Sequence, residues 1–186
     1  TVVASVAPSY LSEFPEWDQA QWITALKRLG FSVVSETALG AEEVSAHMAE
    51  EINRTQNPLL ISSACPTVVQ YIKKYHTDFS DLIATFYSPV LAHSRLLRDE
   101  LGENIRVVFI GPCISKKAES DSHHDLLDLS LTFEELRVWL KSENLLDTAI
   151  QAEASAEFFP RKATAGSLYP IDGGMIRGIF PDTAEA

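Results

Sequence analysis

Apolar residues along this chain alternate between two spacings. Short β-branched runs are followed by longer segments in which apolar positions recur every three or four residues. Thr1 to Ala7 is such a run, closed by Pro8, and predicts a first strand. Asp18 to Leu29 places Trp22, Ile23, Leu26 and Leu29 on one helical face and stops at Gly30. Phe31 to Thr37 predicts a second strand. Ala41 to Arg54, with Val44, Met48 and Ile52 four apart, predicts a second helix, and Leu59 to Ala64 reads as a third strand. Pro66 then opens a helix bearing Val68, Val69, Ile72 and Tyr75. Pro89 to Leu101 carries Val90, His93, Leu97 and Leu101 on one face and ends at Gly102, after which Arg106 to Ile110 supplies a fourth strand. Strands joined by helices through short connections imply right-handed βαβ units. The expected fold is α/β: a parallel sheet with helices on both faces, a three-layer arrangement of Rossmann-like or flavodoxin-like kind.

Beyond Cys113 the pattern loosens. Residues 118–128, rich in Asp, Ser and His, predict a mobile surface loop. Leu129 to Leu131 reads as a short strand. Thr132 and Glu135 have capping-box spacing ahead of Phe133, Leu136 and Leu140, a helix running to about Asn144. The expected organisation is one domain over 1–180, with core βαβ units in 1–117, the loop, a C-terminal part over 129–180 and a disordered tail over 181–186.

Composition narrows the classes. With 186 residues and 46% hydrophobic content the chain can bury a sizeable core. A net charge of −11, with Lys and Arg only in small groups such as Lys73-Lys74, argues against a nucleic-acid surface. No apolar run approaches the roughly 18 residues that cross a bilayer, and no signal-peptide pattern opens the sequence, so the expectation is a cytoplasmic protein away from membranes. Two cysteines are too few for a disulfide scaffold.

Those two cysteines carry the candidate chemistry. Cys65 and Cys113 each follow an apolar run and each neighbours a proline, which predicts that both sit at one edge of the sheet. A thiol at a helix N-terminus (Cys65), or one near Lys116 and Lys117 if they fold back (Cys113), favours the thiolate that binds metal. Small buried hydrophobes and a reversible thiol-redox pair stay open as readings. The loop Gly111 to Glu119 places a lysine three residues and a glutamate six residues after Cys113, although a solvated charged stretch fits the same spacing. His123-His124-Asp125 reads as a solvated loop, because adjacent histidines point apart. His47, His76 and His93 are assigned no catalytic role. Gly173-Gly174 lacks a phosphate-loop context, and Ala165-Gly166-Ser167 lacks the glycine of a hydrolase elbow.

Taken together, Ser63-Ala64-Cys65-Pro66, Ser88-Pro89 and Pro112-Cys113-Ile114-Ser115-Lys116-Lys117-Ala118-Glu119, in this order, resemble the active-site domain of the iron-only (FeFe) hydrogenases. Val6-Ala7-Pro8, Leu26 to Phe31, Gly40-Ala41 and Gly173-Gly174 look like further landmarks of that family. The resemblance implies that the chain is one lobe of that domain. It implies that Cys65 and Cys113 ligate the H-cluster, a 4Fe–4S cluster bridged to a diiron unit. It also implies that Lys116 contacts the diiron unit and that Ser88 and Glu119 lie on the proton route.

Departures from the family pattern alter the expected activity. Ala64 stands where catalytic members carry a proton-relaying cysteine, Val68 where they carry tryptophan, Gly111 where they carry methionine, and Met48 near a proton-path glutamate. An Ala-Cys-Pro version resembles the sensory or regulatory branch. The second pair of cluster cysteines, a Cys-x-x-x-Cys motif, does not occur in this sequence. The expectation is therefore an iron–sulfur-binding, hydrogenase-like domain incapable of fast hydrogen turnover alone. A downstream second lobe or signalling domain would be its partner, and its redox partner is unidentified. The alternatives are a metal-free interaction module of the same fold and a thiol-redox protein using Cys65 and Cys113.

Overall fold

The structure is a computed structural model and describes residues 1–55, 59–146 and 150–180. Its centre is a four-stranded parallel sheet of β1 (Val2–Val6), β2 (Val33–Glu36), β3 (Arg106–Gly111) and β4 (Leu129–Thr132), in the order β2-β1-β3-β4. Ser5 is in register with Ser35 on one side and Phe109 on the other, and Phe109 with Ser130. Val3 to Val6 are all buried, which requires cover on both faces of the sheet and explains runs that are continuously apolar rather than alternating. The expected α/β architecture is the observed one.

Among the described residues the helices are α1 (Tyr10–Glu13), α2 (Gln19–Arg28), α3 (Ala38–Thr55), α4 (Pro66–Tyr75), α5 (Pro89–Leu101), α6 (Ser115–Ser122), α7 (Phe133–Ser142) and α8 (Gly174–Ile179). Both capping boxes form where the sequence places them. Asp18 and Gln21 bracket the start of α2, and Thr132 and Glu135 that of α7, each satisfying orphan N–H groups for about 1 kcal/mol. On one face Trp22 of α2 is fully buried, stacked on Tyr10 at 5.3 Å and packed on Phe14 at 4.4 Å between ring centroids. On the other face α5 lies under β1, and α3 crosses it so closely that a Cβ on Gly40 would lie 2.1 Å from the Pro89 carbonyl oxygen. No helix among the described residues is long and apolar enough to cross a membrane.

Two expectations are corrected. Leu59 to Ala64 is not a strand of the sheet. It makes one parallel bridge, Ile61 to Ile83, fastened by Ile61 N–H to the Leu82 carbonyl and Ala84 N–H to the Ile61 carbonyl, both at 2.8 Å. The place beside β1 belongs to β3, and Leu59 is 55% exposed. Between the two sides of that bridge, α4 and a 3₁₀ segment, Thr77–Leu82, contain no buried residue, so residues 59–84 form an arm pinched at its base. The second correction concerns 118–128. Most of it is ordered structure: α6 runs to Ser122, its serines fold back with Ser120 Oγ donating to the Lys117 carbonyl and Ser122 Oγ to the Ala118 carbonyl. Leu126 and Leu127 are core residues, and the buried Arg98 guanidinium donates to the Leu126 carbonyl and to Asp128. The tail expected over 181–186 lies outside the described residues.

Candidate functional site

From β1 the chain moves outward to β2 and then returns to form β3 on the opposite side of β1. The connections therefore diverge at the C-terminal ends of β1 and β3, the position at which open α/β sheets leave a crevice. A cavity of about 150 Å³ opens there, lined by Ala7, Thr37, Ala64, Phe109, Lys116 and Tyr169. Gly111 sits beside it for a steric reason. A Cβ at this position would meet the Phe109 ring at 2.5 Å and the Ala7 Cβ at 2.8 Å, so a methionine could stand here only if both moved.

Cys113 follows β3 by two residues, as the sequence indicates, and is half-buried. Cys65 is exposed and, as expected, is the N-cap of α4, ahead of Pro66 in the first turn, but it is carried in by the arm rather than by a sheet strand. Two contacts join the cysteine-bearing segments. Thr67 Oγ1 donates to Ser115 Oγ at 2.9 Å, and Lys116 Nζ donates to the Ala64 carbonyl at 3.3 Å. Cys113 Sγ lies 2.9 Å from Ser115 Oγ. Because Ser115 accepts from Thr67, its own proton is free for the sulfur, and Cys113 is the acceptor end of a short hydroxyl chain starting on α4.

The lysines do not serve Cys113. Lys116 Nζ pairs with Glu119 at 2.5 Å, the two side chains being 11% and 9% exposed. Lys117 pairs with Glu135 at 2.8 Å and donates to the Ser130 carbonyl. Cys113 is thus bonded to a hydroxyl, and the cations expected to fold back toward it are held by carboxylates. Lys116 and Glu119 form a partition. Lys116 lines the small cavity, while Glu119 lines a cleft of about 650 Å³ between α4, α5 and α6. Ser88, the N-cap of α5, is buried on that cleft, and its hydroxyl has no hydrogen-bond partner among the described residues. Met48 is buried in an apolar cluster of its own, and Val68 is 43% exposed on α4.

One group was not legible as functional from the sequence. His93 is completely buried beneath β1 and β2, with Nδ1 at 2.7 Å from Ser5 Oγ and Nε2 at 2.8 Å from Ser35 Oγ. Ser35 donates its proton to the Phe159 carbonyl, so it accepts from Nε2–H; Nδ1 then accepts from Ser5, and Ser5 accepts from Thr37. Burial drives the imidazole pKa down to about 3, and the ring is neutral. This chain sets the hydroxyl of Thr37 at the wall of the small cavity. The available signal was a histidine on the core-facing stripe of α5, between Val90 and Leu97.

A cubane cluster takes four thiolates. The described residues hold two free cysteines and no group of three or more His, Cys, Asp or Glu placed to hold a metal. Two thiolates are half of the donor set that such a cluster would need. The chain is 28% identical over 169 residues to the cytosolic Fe-S cluster assembly factor NAR1 of Yarrowia lipolytica, covering 87% of this chain and 33% of that protein. To the NAR1 homolog of Schizosaccharomyces japonicus it is 29% identical over 179 residues, covering 76% of this chain and 34% of that protein. It therefore spans about a third of these curated relatives. Among solved structures, the FeFe-hydrogenase HydA(deltaEFG) superposes with a TM-score of 0.71 at 21% identity over 96% of this chain and 52% of that one. An apo HydA1 variant from Chlamydomonas reinhardtii superposes with the same score and identity over 53% of its chain. Residues 1–185 match the family described as iron only hydrogenase large subunit, C-terminal domain, and the chain belongs to that family.

Proposed function

We propose that this chain is the lobe of a hydrogenase-like protein that supplies two thiolates, Cys65 and Cys113, to an iron–sulfur centre completed by donors outside it, in cluster handling or regulation rather than hydrogen turnover. The observation that carries this reading is that the segments bearing the two free cysteines touch, tied by Thr67 to Ser115 and by Lys116 to the Ala64 carbonyl. Two further features argue against turnover. Ala64, at the small cavity, has no proton to relay, and Lys116 is held by Glu119. Relatives named cytosolic cluster-assembly factors support an iron–sulfur role in the cytoplasm over a sensory one.

When bound, such a centre supplies electron storage at the mouth of the sheet. The chain's own residues do the remainder. Ser115 orients a proton toward the Cys113 sulfur, the helical N-terminus behind Cys65 favours an anionic ligand, and Lys116 is the cation available to a second anion if Glu119 releases it. The test is anaerobic reconstitution with iron and sulfide, read by iron content and visible absorption. A longer protein carrying this lobe should bind a stable cluster and lose it in Cys65→Ser and Cys113→Ser. The 186-residue chain should bind iron only weakly and evolve no hydrogen with a strong reductant. Iron content unchanged by either serine variant would refute the ligand assignment. A metal-free chain with a titratable Cys65–Cys113 disulfide would favour the thiol-redox reading.

A further inference from the structure

A strap from the C-terminal part of the chain completes the small cavity, and its middle is held by carboxylates rather than by apolar packing. Phe158, in the main core, and Ile179, in the cluster of Val44, Met48 and Ala92, anchor its two ends. Between them the one buried side chain is that of Ala163, set against Ala38 and Leu39. A segment that buries so little apolar surface opens locally at low cost unless polar contacts hold it.

Those contacts converge on two acidic side chains. Through one oxygen Glu42, on α3, accepts from Thr164 N–H at 2.5 Å, from Thr164 Oγ1 at 2.8 Å and from Gly166 N–H at 3.4 Å. Through the other it accepts from the Arg161 guanidinium at 2.8 Å. Glu36, buried at the end of β2, accepts from Ala163 N–H at 2.6 Å. Burial alone would raise the Glu42 carboxyl pKa, but the Arg161, Thr164 and Gly166 donors outweigh it and hold the group below the ordinary carboxylate range. The acceptor is therefore ionised at neutral pH, and bonds to an ionised acceptor are about twice as strong as neutral ones.

The turn that these bonds fix is part of the cavity wall. Ala165–Leu168 is a 3₁₀ turn whose Gly166 lies so close to α3 that a Cβ would stand 1.9 Å from the Ala38 carbonyl oxygen. Gly166 and Tyr169 line the cavity that Lys116 also lines. We propose that Glu42 is a positioning residue for this site: by fastening residues 161–166 to α3 it sets the wall formed by Gly166 and Tyr169, and so the space open to an anion at Lys116. The anion rests on the cluster reading; the fastening does not, and its test needs no iron.

The reporter is Ala38→Cys in the 186-residue chain carrying Cys65→Ser and Cys113→Ser. Ala38 is buried, lines the cavity and packs under the strap at Ala163, so its thiol meets 4,4′-dithiodipyridine when the strap lifts. Adding Glu42→Ala removes the acceptor of four contacts and should speed modification about 10- to 100-fold. Glu42→Gln keeps an oxygen for Thr164 and Gly166 and should stay within about 3-fold of the parent, a rescue that loss of packing would not show. Thr132→Ala removes the N-cap of α7 beside β4, at the opposite edge of the sheet from β2. It lowers global stability without touching the strap and should leave the rate unchanged. Arg161→Met, on an exposed side chain, should give a rise of about 2- to 3-fold and carries the test if Glu42→Ala does not fold. A rate indifferent to Glu42→Ala or Arg161→Met, or raised as much by Glu42→Gln or Thr132→Ala as by Glu42→Ala, would overturn the assignment.

Discussion

Lys116 and Glu119 form a buried pair at the partition between the two cavities, and removing one charge should cost far more than removing both. Their side chains are 11% and 9% exposed at 2.5 Å separation, and the other acceptor of Lys116 is the Ala64 carbonyl at 3.3 Å. Deleting one member of such a pair costs about 3–5 kcal/mol, because the survivor is left charged in a poorly solvated place. Glu119→Gln keeps an amide oxygen for the ammonium, so the lower end applies, about 3 kcal/mol. With a urea slope of about 2–3 kcal/mol/M for a chain of this size, the unfolding midpoint should fall by about 1 M. The double replacement Lys116→Met, Glu119→Leu removes both charges and fills the same space with apolar groups. It should be milder than Glu119→Gln alone. Trp22, fully buried, reports the transition by fluorescence. A single variant within about 0.5 kcal/mol of the parent, or a double variant whose loss equals the sum of both singles, would refute the claim that the pair is buried and coupled.

Three further outcomes are expected. The His93 pKa, near 6.5 unfolded and held at about 3 folded, makes the unfolded chain bind more protons below neutrality; the contribution present above pH 6.5 is lost progressively as pH falls toward 3. From pH 7 to 5 this group should remove about 2 kcal/mol, and His93→Gln, though less stable at pH 7, should show a correspondingly shallower decline in denaturant titrations; an unchanged pH slope would contradict the buried neutral ring. Gly40→Ala, favourable by helix propensity, should instead destabilise by about 1–3 kcal/mol because its Cβ would meet the Pro89 carbonyl at 2.1 Å, and a rise in melting temperature would show that α3 and α5 can part cheaply. Hydrogen exchange should be fast across α4 and Thr77–Leu82, which bury no residue, and slow across β1 and β3; equal protection would show that the arm is part of the core unit.

The sequence by itself determined what depends on near neighbours. The apolar stripes of α2, α3, α5 and α7 and the valine-rich runs of β1, β2 and β3 follow from periodicity and composition, and both capping boxes follow from pairs three residues apart. The cysteine motifs and their proline neighbours carried the family, because ligand and turn chemistry are written locally. Tertiary structure decided which segments meet. An apolar run such as Leu59-Leu60-Ile61 serves equally as a sheet strand or as the base of an arm, and only competition for the edge of β1, won by β3, made it the latter. A polar stretch such as 118–128 reads as loop until Arg98, from a different helix, holds Leu126 and Asp128 and the serines fold back on their own turns. The destination of the Lys116 ammonium was open between Cys113 and Glu119. Packing settled it, since a poorly solvated ammonium is held best by a carboxylate within reach, and that choice set Ser115 rather than lysine against the Cys113 sulfur.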